Sequence, residues 1–388
     1  VVLRDGFDAF GGGCVFVGGG AALTLDRVAL ENCAAGAVGG GLAGWTSASL
    51  FVGRSSFAGN VAGAMGGSVY GHSRAAVVLI ATTVGHSSAF GGGGVTITRG
   101  ATLHVSNHSQ IYGCIAGING GGVFLARDAV GIFSSGSVVS TSHGRGGGGG
   151  VFGITSSTVV LEGRCAIVNC TATTLGGGLQ IYDAAVVAVS DCAFVGCVAL
   201  TSSGGGVLLR MVGTSGATFT NVDFLNCATP EGLGGGLNLG TATTAALANS
   251  RFDGCSAGTA GGAVSVSFQG GVVALTRTSF TRCHSSGDGG ALLVNPGCRA
   301  SIDDSIFSDN AAGNHGGAIA ASATSKVAVF GGTRVERNVA AYSGGGLALL
   351  WASTVGVANA VIAFNVAIGG GGGAATVGAG ATLHLGRA

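Results

Sequence analysis

Residues 252–264 read FDGCSAGTAGGAV, residues 280–292 read FTRCHSSGDGGAL and residues 307–319 read FSDNAAGNHGGAI. Each copy carries a phenylalanine, a cysteine or asparagine three residues on, and a Gly-Gly pair followed by two apolar residues. The copies begin 28 and 27 residues apart. Self-similarity at a fixed period marks a repeat architecture, so the period is followed outward before any single motif is read.

It runs through the whole chain. The last glycine of each cluster falls at Gly13, Gly41, Gly67, Gly94, Gly122, Gly150, Gly178, Gly206, Gly236, Gly262, Gly290, Gly317, Gly346 and Gly373. The 13 intervals span 26 to 30 residues, with a mean near 27.7. In phase with them runs a polar ladder: Cys33, Asn60, Ser87, Cys114, Thr141, Cys170, Cys197, Cys227, Cys255, Cys283, Asn310, Asn338 and Asn365. An apolar residue stands three places before most of these, as Phe57, Phe194, Phe224, Phe252, Phe280 and Phe307 do.

Between the ladders, period-two alternation such as Val187-x-Val189 and Val273-x-Leu275 reads as a short strand. The run after each glycine cluster and the Phe-x-x-Cys/Asn segment supply a second and a third strand. A three-strand unit of this length buries little alone. Stacked copies build a continuous core and pair each strand with its counterpart one turn on. The expectation is an all-β parallel β-helix, a solenoid forming one domain over residues 1–388, with about 13 coils of ~28 residues. Each coil adds one strand spacing, so the rod is on the order of 60 Å long.

Composition agrees. Glycine supplies 80 of 388 residues and charged residues only 9%. A helical bundle is excluded, because an interior glycine costs a helix about 1 kcal/mol relative to alanine. Collagen is excluded by 2 prolines and no three-residue period. Disorder conflicts with 47% hydrophobic residues and a net charge of +1. Glycine or a polar residue breaks every apolar run well short of a membrane span. The 17 basic residues face 16 acidic ones and do not cluster in sequence, so nucleic-acid binding has no support. The Leu-x-x-Leu-x-Leu pattern of leucine-rich repeats and the nine-residue Gly/Asp repeat of calcium-binding rolls are both missing.

The Gly-Gly-Ala-(Val/Leu/Ile) motifs at Gly262, Gly290 and Gly317, with the Phe-x-x-Asn motifs from Phe57 to Asn60 and Phe307 to Asn310, resemble the repeats of chlamydial polymorphic outer-membrane proteins. The resemblance implies a right-handed, pectin-lyase-like parallel β-helix at a cell surface, in adhesion or a structural role. The chain departs from that family in placing cysteine at seven of the thirteen corners.

Eleven cysteines are present. Cys170, Cys197, Cys227, Cys255 and Cys283 occupy one ladder in five successive coils, and Cys165 and Cys192 each stand five residues before a ladder cysteine. A coil rise near 4.8 Å falls inside the Cα window for a disulfide. Inter-coil disulfides Cys165–Cys192 and one or two within the ladder are weighed about evenly against buried thiols. Asn60, Asn310, Asn338 and Asn365 are expected to bond the backbone of their own or an adjacent coil. Arg282, Asp309 and Arg337 each stand one residue before the ladder, and are expected to stack as an exposed Arg–Asp–Arg ion ladder worth about 0–1 kcal/mol per pair.

Pectin-active enzymes with this fold need clustered carboxylates on one face. Asp303 and Asp304 are the best candidates, yet no carboxylate shares their phase in a neighbouring coil. The eight histidines fall in different phases, and no Gly-Lys-Ser/Thr follows a glycine cluster. No catalytic, cofactor-binding or metal residue is therefore assigned. Asn107 and Asn169 head sequons and are candidate N-glycosylation sites. No charged and apolar leader follows Val1, which reads as a mature form or a fragment. The last stretch, from Gly380 to Leu385, copies Gly100 to Val105 and stops within a coil.

The expected function is a non-enzymatic, extracellular structural protein. It would be a β-helix rod building a cell-surface appendage or filament with copies of itself or other β-helix segments, end to end. The first alternative is a surface adhesin binding glycans, which an aromatic stripe would favour. The second is a polysaccharide lyase or glycoside hydrolase. No cofactor, nucleic-acid partner or membrane span is expected.

Overall fold

The computed structural model describes residues 1–183, 186–210, 216–267 and 270–386. Among these residues every helical or extended element is a β-strand. One turn shows how sequence becomes shape. The strand Arg251–Asp253 turns Phe252 inward. After the corner at Cys255 comes Ser256–Ala257, then Val264–Val266 beyond the glycine pair, then Val272–Thr276. The next turn repeats this with unchanged register. Phe252 pairs with Phe280, Ser256 with His284, Val264 with Leu292 and Val273 with Ala300, all in parallel.

Each turn thus contributes four strands to four parallel sheets, where three per repeat were expected. The additional strand has two residues, as in Ser256–Ala257 and Ala311–Ala312. Two residues are too few for a period to register in the sequence. The chain forms an all-β parallel solenoid of about 13 turns.

The described residues form two compact units, Val1–Ala193 and Phe194–Ala388. Each fills its interior with stacked copies of one position. In the first unit Leu30, Phe57, Val84, Ile111, Val139 and Ile167 succeed one another turn by turn, all buried. In the second the same position is aromatic. Phe194, Phe224, Phe252, Phe280 and Phe307 stack with centroids 5.1, 4.4, 4.9 and 4.4 Å apart and interplanar angles of 9°, 2°, 7° and 10°. The rings are near-parallel and stack at strand spacing, as the sequence period implied.

Two backbone features make the corners. Gly261 takes φ +64°, and a Cβ on Gly262 would lie 2.2 Å from the Gly290 carbonyl oxygen. That close approach explains why the glycine pair keeps the period. The second corner uses left-handed residues that are often not glycine: Asn226, Arg282, Asp309 and Arg337 have φ of 52°, 54°, 59° and 55°. Their N–H groups donate to the following turn, Arg282 to Ser308 and Arg337 to Ala363. These bonds offset part of the cost of the left-handed conformation.

Candidate functional site

The corner ladder is a chain of side-chain-to-backbone bonds between turns. Asn310 Nδ2 donates to the Phe280 carbonyl at 3.0 Å, and its Oδ1 accepts from the Cys283 N–H at 2.9 Å. Asn338 repeats this, donating to the Phe307 carbonyl and accepting from the Asn310 N–H at 3.0 Å. Asn365 donates to Val335 and accepts from Asn338, and Asn60 bonds Leu30 and Cys33 in the same way. The expected role of these four asparagines is the observed one. One ladder member differs. Thr141 is exposed and left-handed, and the buried corner hydroxyl belongs to Ser142, which accepts from the Cys114 N–H at 3.3 Å.

The ladder cysteines stand in for asparagine. Cys114 Sγ points at the Val84 and Tyr112 carbonyls, and Cys227 Sγ at those of Phe194 and Leu225. Cys170, Cys197, Cys227, Cys255 and Cys283 are buried thiols, not disulfides. Burial pushes the Cys114 thiol up to about 12 and raises Cys255 well above its ordinary value.

The sequence reading missed a second inner ladder of serine and threonine. Ser305 accepts from the Thr278 N–H and Thr333 from the Ser305 N–H, as Ser109 does from Thr82. Cys165 and Cys192 occupy this ladder and use sulfur where their neighbours use hydroxyl. Cys165 Sγ lies 3.0 Å from the Glu162 carbonyl, just as Ser137 Oγ lies 2.7 Å from that of Ser134.

Of the two readings weighed for Cys165–Cys192 and the ladder, the buried-thiol one is observed. The stacked sulfurs meet as thiols, Cys165 with Cys192 and Cys227 with Cys197 and Cys255. The one disulfide joins Cys14 to Cys33, whose Cα atoms lie 5.5 Å apart. Cys14 belongs to the glycine-cluster phase, so it faces Cys33 and does not stack on it.

The ion ladder is half as anticipated. Arg337 forks onto Asp309 at 2.9 and 3.1 Å and holds that carboxyl below its ordinary range. Arg282 does not pair with Asp309. It reaches toward the preceding turn and takes Asp253 at 2.7 Å. Its in-phase neighbour there is Gly254, which has no side chain, so the space beside Asp253 is open to it. Asp253 is buried beneath Arg282 and Arg251, its side chain 8% exposed. Burial works against its charge, yet the two guanidiniums hold it below the usual carboxylate range. Arg54 reaches back to Asp26 and Arg277 to Asn249 in the same direction.

Asn107 and Asn169, the two sequon asparagines, are both exposed at left-handed turns. Asp303 and Asp304 close one turn, Asp304 with φ 46°.

The first unit carries a feature that the sequence reading did not assemble. The strands Val69–His72, Val95–Thr98, Val123–Ala126 and Val151–Ile154 are successive rows of one sheet. On its outer side Phe124 and Phe152 stack at 5.4 Å and 13°. Trp45 lies 4.3 Å from the His72 ring and 5.9 Å from Tyr70, with Phe10 at 5.6 Å from Trp45. At the C-terminal ends of the rows the chain turns left-handed at Arg74, Arg99 and Arg127, all exposed.

A cleft of about 380 Å³ is lined by both features, with Tyr70, His72, Arg99, Phe124 and Arg127 in its walls. A shallower depression adjoins it at Arg74, Arg99, Arg127 and Asp128. Burial, then the charges of Arg99 and Arg127, hold the His72 ring below its ordinary value. Trp45 Nε1 and His72 Nδ1 are buried without a hydrogen-bond partner. Basic residues therefore do cluster, across three turns. The spacings from Arg74 to Arg99 and Arg99 to Arg127, 25 and 28 residues, are the signal that a reading by contiguous sequence passes over.

Among the described residues no group of three or more His, Cys, Asp or Glu is placed to hold a metal, and no helix is long and apolar enough to cross a membrane. No curated protein and no solved structure matches the chain. A family model described as a right handed beta helix region matches residues 149–339, in agreement with the parallel solenoid of the structure and giving its hand.

Proposed function

We propose that the chain is a non-enzymatic, extracellular structural protein, a β-helix segment that builds a cell-surface appendage or filament by coil-on-coil association with segments of its own kind. The observation that carries this reading is the self-complementarity of the turns. Each turn offers the next the same donors and acceptors in the same register, from Asn310 on Asn338 to Phe280 on Phe307. A turn of one molecule can therefore receive a turn of another without new chemistry. Contacts of this head-to-tail kind that do not close give filaments. The Cys14–Cys33 disulfide and the exposed sequon asparagines support an extracellular setting. Sedimentation velocity over a concentration series tests the association. Mass that grows continuously with concentration supports it, and a monomer boundary at every concentration overturns it.

A second reading, a surface adhesin that binds glycans, is favoured by one observation, the aromatic and arginine-lined cleft of the first unit. Aromatic rings present flat apolar faces on which the C–H faces of a sugar ring pack.

A further inference from the structure

We propose that the cleft between Tyr70, His72, Phe124, Arg99 and Arg127 binds an anionic glycan whose sugar rings carry carboxylate or sulfate groups. The inference rests on the glycan-binding reading above and adds the ligand's charge and direction. Phe124 is half-buried and stacked on Phe152, so its ring is held in place before any ligand arrives. Tyr70 is only 5% exposed and forms part of the wall. Arg99 and Arg127 occupy the same position in consecutive turns, bonded through their backbones to Ala126 and Ile154.

Their Cα atoms therefore stand about one strand spacing apart, ~4.8 Å, along the direction in which turns are added. A guanidinium binds carboxylate or sulfate oxygens as a planar fork. Two forks in a row suit a ligand that repeats its negative charge along its length. Unlike Arg54, Arg282 and Arg337, neither side chain has an acid beside it in the preceding turn: His72 and Ser73 stand there for Arg99, and Thr98 and Arg99 for Arg127. His72 lines the cleft, and its Nδ1 is without a hydrogen-bond partner. A hydroxyl-bearing ligand offers partners for such a group, and an apolar one does not.

A single-stranded nucleic acid also combines aromatic and arginine contacts. It needs a longer basic track than three arginines provide. Asp128 in the adjoining depression and a net charge of +1 weigh against it.

The test is isothermal titration of the full chain with four probes: an oligogalacturonate, a heparin-type sulfated oligosaccharide, a neutral malto-oligosaccharide and an oligo-dT. The expected result is binding of one or both anionic sugars at least tenfold tighter than the neutral sugar and the oligonucleotide. The R99Q/R127Q variant should weaken that binding at least tenfold with an unchanged circular dichroism spectrum, since both side chains are exposed. Preference for oligogalacturonate assigns the carboxylate, and preference for the sulfated sugar assigns the sulfate.

Equal binding of neutral and anionic sugars, unaltered in R99Q/R127Q, overturns the anionic inference and leaves the glycan reading standing. Absence of binding to every sugar overturns both. Tighter binding of oligo-dT than of any sugar also overturns both.

Discussion

Asn338 Oδ1 accepts two hydrogen bonds from Asn310, one from its backbone N–H at 3.0 Å and one from its side-chain Nδ2 at 2.9 Å. Two turns of the solenoid are thereby joined through one buried oxygen. Replacing it leaves a buried N–H without a partner, which costs about 1–3 kcal/mol. N338A should therefore lower stability by that amount in a thermal or denaturant melt. N338C should cost less, because the chain itself places cysteine at this position in other turns. Equal melting of wild type and N338A would show that the ladder does not couple the turns.

The glycines are not equivalent. A Cβ on Gly262 would meet backbone oxygens at 2.2 and 2.4 Å, contacts that no rotamer relieves. A Cβ on Gly356 meets nothing within 4 Å. G262A should be among the most damaging single substitutions in the chain. G356A should be neutral or stabilising by about 0.4–1 kcal/mol, through the unfolded state. Similar soluble yield and melting temperature for the two variants would contradict the stacking geometry.

Thiol chemistry should report burial. Titration of the native protein with a thiol reagent at pH 8 should label the ladder cysteines only slowly, because burial raises Cys114 to about 12 and Cys255 well above its usual value. After unfolding without reductant, nine thiols should react and the Cys14–Cys33 pair should not. Seven or fewer would mean that the stacked cysteines are oxidised after all.

Acid should loosen the second unit before neutral or mildly basic pH does. Asp253, beneath Arg282 and Arg251, and Asp309, beside Arg337, both sit below their ordinary values in the folded chain. A folded pKa below the unfolded one gives stability that is complete above the unfolded value, near 3.9, and is lost as pH falls through the folded value. Melting temperature should stay level from pH 8 to 5 and fall below about pH 4. D253N should cost about 1–2 kcal/mol at pH 7, reduced by the exposure of both arginines, and should flatten the acid limb. An acid limb as steep in D253N as in wild type would show that another carboxylate governs it.

Much of this fold is legible in the sequence, because a solenoid repeats its constraints. The glycine that a close approach demands at Gly262 is demanded again at Gly290 and Gly317, so the period survives every substitution between them. Inward positions are legible for the same reason, and the phenylalanine stack follows from spacing alone. What escaped the reading is set by direction and by pairs. Spacing put Cys165 over Cys192, but spacing alone does not tell a stacked pair of thiols from a disulfide. It put Arg282 in phase with Asp309, but not the backward reach that delivers it to Asp253 beside the vacant Gly254. The cleft at Arg99 and Arg127 was hidden because its residues are far apart in the chain and adjacent only across turns.

The central claim is that turns able to stack within one molecule also stack between molecules. Negative-stain electron microscopy of the protein from its native source, without added reductant, tests it most directly. The account predicts unbranched filaments with an axial repeat that is a multiple of one coil rise, about 4.8 Å. Dispersed single particles under the same conditions would contradict it.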